Sequence, residues 1–276
     1  MSKKWLQNKT VIISGASGGL GFNVAKMLIE KYNCKIIGIA RNEKKLLDSI
    51  NSLGDKKDNF SYRIFDVTNK DAWLEFYDYL EKNKIYPDVL INNAGFMLPF
   101  DKLENISQEQ VEEIVQTNFM SHINATKIIK PLLNKSESPA IVNISSAAGL
   151  CAVVGQTMYC ATKYGIRGFT DALRVESEKK FYIAGVYPGF IKTNILNRMS
   201  ISDKNNKLIE KLMKPVDKAT KIIVKKISKK RKQIVLGIDG RAMSLMSKLM
   251  PITTSKIIRK VLKSSKLEMF DNVFNG

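Results

Sequence analysis

The chain has 276 residues, of which 44% are hydrophobic and 26% charged. That is enough apolar material for a full core, which excludes wholesale disorder, and 16 Gly with 7 Pro exclude a collagen-like or low-complexity chain. The formal charge of +19 excludes a surface that repels anions, so an anionic partner has to be considered.

Short runs dense in Val and Ile at 10–14, 35–40, 62–65, 89–92, 140–144 and 183–187 read as strands. They do not alternate polar with apolar, which is the pattern of strands buried on both faces of a parallel sheet. Helical stretches at 22–32, 71–82, 108–133 and 157–180 separate them. Repeated βα units predict an α/β doubly wound Rossmann fold of about seven parallel strands. A run at 234–237 is a candidate last strand, and a basic helical extension follows. Residues 1–199 are read as the dinucleotide-binding and catalytic core. Residues 200–276 are read as a substrate lid, that last strand and the extension, all within one domain.

The first strand runs into Ser14-Gly15-Ala16-Ser17-Gly18-Gly19-Leu20-Gly21, with Gly15, Gly19 and Gly21 spaced G-x3-G-x-G, and a helix follows. Such a turn presents bare backbone N–H groups to a pyrophosphate at a helix N-terminus, so this segment, including Ser17 and Leu20, is the predicted cofactor cradle. The second strand ends at Ala40-Arg41, where an NAD site usually places an acid. A guanidinium suits a ribose 2′-phosphate, so NADP(H) is expected in preference to NAD(H).

These motifs and the ones after them resemble the classical short-chain dehydrogenase/reductase family over about residues 8–195. In that family Asp66-Val67 would contact the adenine, and Asn92-Asn93-Ala94-Gly95 would close the fourth strand beside the cofactor. Asn118 stands where the family keeps its catalytic asparagine. Ser146 lies thirteen residues before Tyr159, and Tyr159-Cys160-Ala161-Thr162-Lys163 matches Y-x-x-x-K. Pro188, Gly189, Ile191 and Thr193 fall in the segment that holds the nicotinamide carboxamide. One departure is Ser14, where the family usually has Thr. The resemblance implies an oxidoreductase and a homo-oligomer.

Tyr159 and Lys163 are four apart on a predicted helix and share a face. A free tyrosine has a pKa of about 10, too high for efficient proton transfer at neutral pH. An ammonium about 4 Å away favours phenolate by up to about 4 kcal/mol at an effective dielectric of 20, or roughly three pKa units before desolvation opposes it. Tyr159 is therefore the expected general acid/base, with Ser146, rather than its neighbour Ser145, donating to the substrate oxygen. The resemblance further gives Lys163 a hold on the nicotinamide ribose and Asn118 a water leading to Lys163. His122, the only histidine, reads as a packed or solvent-facing helix residue, and Cys160 as a small packed side chain.

Cys34, Cys151 and Cys160 have neither metal-ligand nor disulfide spacing, so no metal is expected and a reducing, cytoplasmic location fits. No signal peptide or spanning helix is read. Phe96, Met97, Leu98, Phe100, Leu150, Val153, Val154, Phe190, Ile195, Leu196 and Met199 predict an apolar substrate pocket. An acyl-carrier-linked 3-oxoacyl group, a steroid, a sphingoid-type ketone and a simple ketone all fit. A redox-sensing, cofactor-binding regulator acting through the basic tail is the alternative.

From Ser200 onward there are nineteen Lys and Arg against six Asp and Glu, a net of +13. Two apolar stripes, Met243, Leu245, Met246, Leu249 and Met250, then Ile257, Ile258, Val261 and Leu262, lie among Lys248, Lys256, Arg259, Lys260, Lys263 and Lys266. Such basic amphipathic helices lie on an anionic membrane surface or pack on the domain or on a second subunit; both readings stand. No aromatic-interleaved basic strand points to nucleic acid.

Overall fold

The structure, a computed structural model, describes residues 3–177, 180–192 and 213–275. Seven parallel strands form one sheet in the order β3-β2-β1-β4-β5-β6-β7. These are β1 (Thr10–Ser14), β2 (Lys35–Ala40), β3 (Phe60–Ile64), β4 (Val89–Asn92), β5 (Ala140–Ile144), β6 (Tyr182–Tyr187) and β7 (Gln233–Val235). β1 pairs with β2 on one side (Ser14 opposite Ile39) and with β4 on the other (Ile13 opposite Ile91). The strand order reverses between β1 and β4, and a crevice opens beyond the carboxyl ends of the strands at such a point.

The central strands are buried along nearly their whole length because helices cover both faces. Val11, Ile13, Val89, Ile91, Val142 and Val186 point into one core with α1 (Gly19–Tyr32) and α7 (Val216–Ile227). The alternate residues Ile12, Leu90, Ile141 and Ile183 point into the other. There they meet α3 (Lys70–Lys82), α5 (Ser121–Leu133) and α6 (Thr157–Glu176). The edge strand β3 keeps partly exposed positions, as an edge should.

Two predicted helices are corrected. The stretch at 108–133 is α4 (Gln108–Val115) and α5 joined by a π-turn at Gln116–Met120, and α6 stops at Glu176 rather than 180. A helix absent from the sequence reading, α2 (Glu43–Asn51), follows β2, with Asn42 as its cap accepting from the Lys45 amide. The extension forms α8 (Ile238–Leu249) and α9 (Pro251–Ser265). Beyond α9, Leu267, Met269, Phe270 and Val273 fold back into a third core cluster with Met97, Leu98, Phe100, Tyr159 and Cys160. Phe100 and Phe270 meet edge to face at 4.7 Å between ring centroids.

Candidate active site

The crevice at the switch point is a cleft of about 500 Å³. Its floor is set by the ends of β1 and β4, which a short polar net ties together. Ser14 Oγ accepts from the amides of Asn93 (2.9 Å) and Ala94 (3.1 Å), and Asn93 Nδ2 donates to the carbonyls of Ser14 and Gly15. The hydroxyl of Ser14 thus does the joining for which either Ser or Thr would serve. Below it, Asn92 donates to Asn143 and Thr126, and Asn143 to Thr170, a buried ladder that fixes β4 against β5 and the helices behind them.

Gly15, Ser17, Gly19 and Leu20 line the cleft. Gly15 and Gly19 sit at positive φ, which the turn requires. A Cβ on Gly15 would stand 2.9 Å from Asn93 Nδ2, and one on Gly21 would fall on the Gly15 carbonyl. Gly21 is buried at the start of α1 and is not on the cleft wall. The turn's own packing therefore demands Gly15 and Gly21. The bare loop at a helix N-terminus is the arrangement a dinucleotide's pyrophosphate needs, so the residues present fit that group.

At the far end lie Ala40, Arg41, Asn42, Lys45 and Val67. Arg41 Nη1 stands 3.3 Å from Asp66 Oδ2 in an exposed pair. Burial works to raise the Asp66 carboxyl, but the Thr68 amide and hydroxyl, and then Arg41, hold it low. Asp66 is itself outside the wall. Lys45, which sequence reasoning missed, brings its side chain over the glycine loop beside Gly18. Its signal is its place in the first turn of a helix that follows Arg41 directly.

The other end gathers Asn93, Ala94, Gly95, Ser146, Tyr159, Lys163, Pro188, Gly189 and Ile191. Thr193 lies outside the described residues, as do Ile195, Leu196 and Met199 of the expected pocket. Tyr159 and Lys163 are both buried on one face of α6. Burial pushes the Tyr159 phenol up to about 12, with the Ser146 hydroxyl pulling against it. Burial also lowers the Lys163 ammonium to about 8. The expected ammonium-driven fall of the tyrosine pKa is corrected by this geometry. Lys163 Nζ stands 5.6 Å from the Tyr159 ring centroid and donates to the Ile144 carbonyl at 3.4 Å, so burial dominates. Ser145 lines the cleft, but its hydroxyl donates to the Lys163 carbonyl (2.8 Å), which leaves Ser146 as the serine beside Tyr159.

Asn118 is buried in the π-turn and stands behind the wall, not on it. Its Oδ1 accepts from the Phe96 amide (2.9 Å) and its Nδ2 donates to the Phe96 carbonyl (2.8 Å), so it fixes the loop after β4. A Cβ on Gly95 would stand 3.0 Å from Asn118 Oδ1 and 3.3 Å from Lys163 Nζ, which packs the three closely. His122, one turn on, is fully buried and its Nε2–H donates to the Ala94 carbonyl at 3.1 Å. Burial, with Lys163 nearby, lowers it to about 3, so it is neutral.

Comparison with known proteins gives the family. The short chain dehydrogenase model matches residues 9–204. The chain belongs to the short-chain dehydrogenase family. It is 36% identical over 205 residues to 3-oxoacyl-[acyl-carrier-protein] reductase FabG of Chlamydia muridarum, covering 72% of this chain and 81% of that protein. Putative oxidoreductase SadH of Mycobacterium tuberculosis is 27% identical over 264 residues, 91% of this chain and 94% of that one. In fold it is similar to a variant of actinorhodin polyketide ketoreductase solved with NADPH (TM-score 0.72, 21% identity, 82% of this chain and 94% of that one). As a short-chain dehydrogenase the chain is an oxidoreductase that binds a nicotinamide cofactor. Among its described residues no helix is long and apolar enough to cross a membrane.

Proposed function

We propose that this short-chain dehydrogenase is an NADPH-dependent reductase of ketones on apolar substrates, with Tyr159 as the proton donor. The observation that carries the reading is the position of Tyr159. It lines the cofactor cleft together with Ser146 and Lys163, and it also belongs to the apolar cluster of Met97, Leu98, Phe100, Met213 and Phe270. A carbonyl that approaches from that cluster meets the phenol at the cleft's edge.

The chemistry a bound nicotinamide supplies is the hydride. Tyr159 gives its proton to the carbonyl oxygen as negative charge develops there, and Ser146 donates a hydrogen bond to the same oxygen. A phenol held at about 12 is protonated at neutral pH and so carries the proton that the carbonyl oxygen needs. Lys163, which lines the same cleft, would hold the ribose and through its charge favour the phenolate left behind. The apolar side chains of that cluster favour an uncharged substrate tail. The curated relative FabG, a 3-oxoacyl reductase, acts on a carbonyl of this kind.

NADPH preference rests on Arg41 and Lys45 at the end of the cleft where the adenosine ribose is expected. The Arg41–Asp66 pair is exposed, with Arg41 at 61%, so it contributes little and yields readily to a phosphate. The test is steady-state reduction of a graded panel of ketones with NADPH and NADH. The Arg41→Ser/Lys45→Ser variant should lose about 10- to 100-fold in kcat/KM with NADPH and little with NADH. An unchanged ratio of the two cofactors would overturn the preference.

A further inference from the structure

The stretch from 240 to 267 carries seven Lys or Arg and neither Asp nor Glu. All seven, Arg241, Lys248, Lys256, Arg259, Lys260, Lys263 and Lys266, are exposed. At the corner where α8 gives way to α9, four large apolar side chains stand out among them. Leu245, Leu249, Met250 and Ile252 are 61%, 72%, 48% and 72% exposed. The opposite side of the corner is anchored: Ser244 and Thr254 are buried, and Thr254 Oγ1 donates to the Met250 carbonyl at 2.7 Å. α8 packs against residues 147–149, the turn directly after Ser146. The outward leucines and isoleucine are therefore surplus to the core rather than a loosened part of it.

We propose that this corner docks on an anionic lipid bilayer. Leu245, Leu249, Met250 and Ile252 enter the boundary between headgroups and acyl chains, and the flanking lysines and arginines meet the phosphates. Charge complementarity selects this occupant. A second copy seated on the same patch by two-fold symmetry would set seven cations against seven. Nucleic acid would use the charge but leave the apolar corner bare, and the stretch from 240 to 267 has no aromatic side chain for stacking on bases. An anionic bilayer satisfies both the apolar and the cationic side chains. The helix that carries the surface also touches the catalytic side, since α8 packs on residues 147–149 next to Ser146. The proposal goes beyond the catalytic reading and stands without it, because binding to a bilayer needs no turnover.

The experiment is sedimentation of the full chain with phosphatidylcholine vesicles and with vesicles of about one third phosphatidylglycerol. Wild-type protein should pellet with the anionic vesicles and not with the neutral ones, and added salt should weaken the binding. Lys248→Glu/Lys256→Glu/Lys260→Glu should weaken partition by about 100-fold or more, at about fivefold for each cation removed. Leu249→Glu/Ile252→Glu should weaken it at least about tenfold, through lost apolar insertion and two added negative charges. Melting temperature is read beside each, and Leu249→Ser/Ile252→Ser replaces any variant that melts early. Absence of binding to anionic vesicles, or equal binding by all variants, overturns the proposal. So does a wild-type dimer by light scattering that Leu249→Glu/Ile252→Glu converts to monomer with no vesicle binding in either.

Discussion

The cleft and the α8–α9 corner arrange the same kinds of side chain in opposite orders. In and directly behind the cleft wall a lysine, a tyrosine, an asparagine and a histidine are buried, and apolar strands hold them there. In the corner leucine, methionine and isoleucine face outward while lysine and arginine surround them. Burial in the cleft shifts proton affinities: Lys163 falls to about 8, Tyr159 rises to about 12 and His122 falls to about 3. The lesson is that the cleft's chemistry depends on the scaffold's rigidity, whereas the corner's apolar residues add little to it. Substitutions in the two regions should separate accordingly.

The largest effect on stability is expected at Gly21. A methyl there falls on the Gly15 carbonyl and within 2.5 Å of Asn93 Nδ2. Gly21→Ala should cost about 3 kcal/mol by urea unfolding and abolish nucleotide binding; a wild-type midpoint would show that the loop is not the rigid element described. Next is His122. Between pH 6.5 and about 3 the unfolded chain takes up a proton that the folded imidazole refuses. Stability therefore falls as pH is lowered through that window, by up to ~1.4 kcal/mol per pH unit from this group. His122→Gln should flatten the acid limb of a plot of unfolding free energy against pH, and an unaltered slope would contradict the buried neutral imidazole. Gly168 sharpens the contrast with Gly21, since a Cβ there meets nothing within 4 Å inside α6. Gly168→Ala should stabilise by about 1 kcal/mol, read as a higher Tm. The smallest change belongs to the corner: Leu249→Ser, at a side chain 72% exposed, should stay within about 0.5 kcal/mol of wild type by the same unfolding measurement. A larger loss would make the corner part of the core.

Much of the fold was readable because strands buried on both faces leave unbroken Val and Ile runs, as in β1, β4 and β5. α2 escaped because its Glu-Lys-Lys start hides only two buried apolar residues, Leu46 and Ile50. The π-turn around Asn118 escaped because one extra residue per turn barely alters helical periodicity, although such turns mark functional positions. Of the residues facing the cleft, those of the glycine turn were readable from its place between strand and helix, and Ser146, Tyr159, Lys163 and the residues at 93–95, 188, 189 and 191 from the family resemblance. Lys45 was not, since its role follows from where α2 begins. Nor was the return of Leu267, Met269 and Phe270 to the catalytic side, which depends on how far two helices carry the chain. The Tyr159 shift runs opposite to the expectation because a helical spacing of four fixes a shared face and says nothing of how strongly burial opposes the phenolate.

The most direct test of the account is NADPH oxidation by the full chain with apolar ketones, run beside Tyr159→Phe, with NADPH binding measured for both. The expected result is turnover in the wild type and a loss of about 100- to 10,000-fold in kcat in the variant, with NADPH binding and Tm retained. Near-normal turnover by Tyr159→Phe would contradict the assignment of the proton donor and with it the catalytic reading of the cleft.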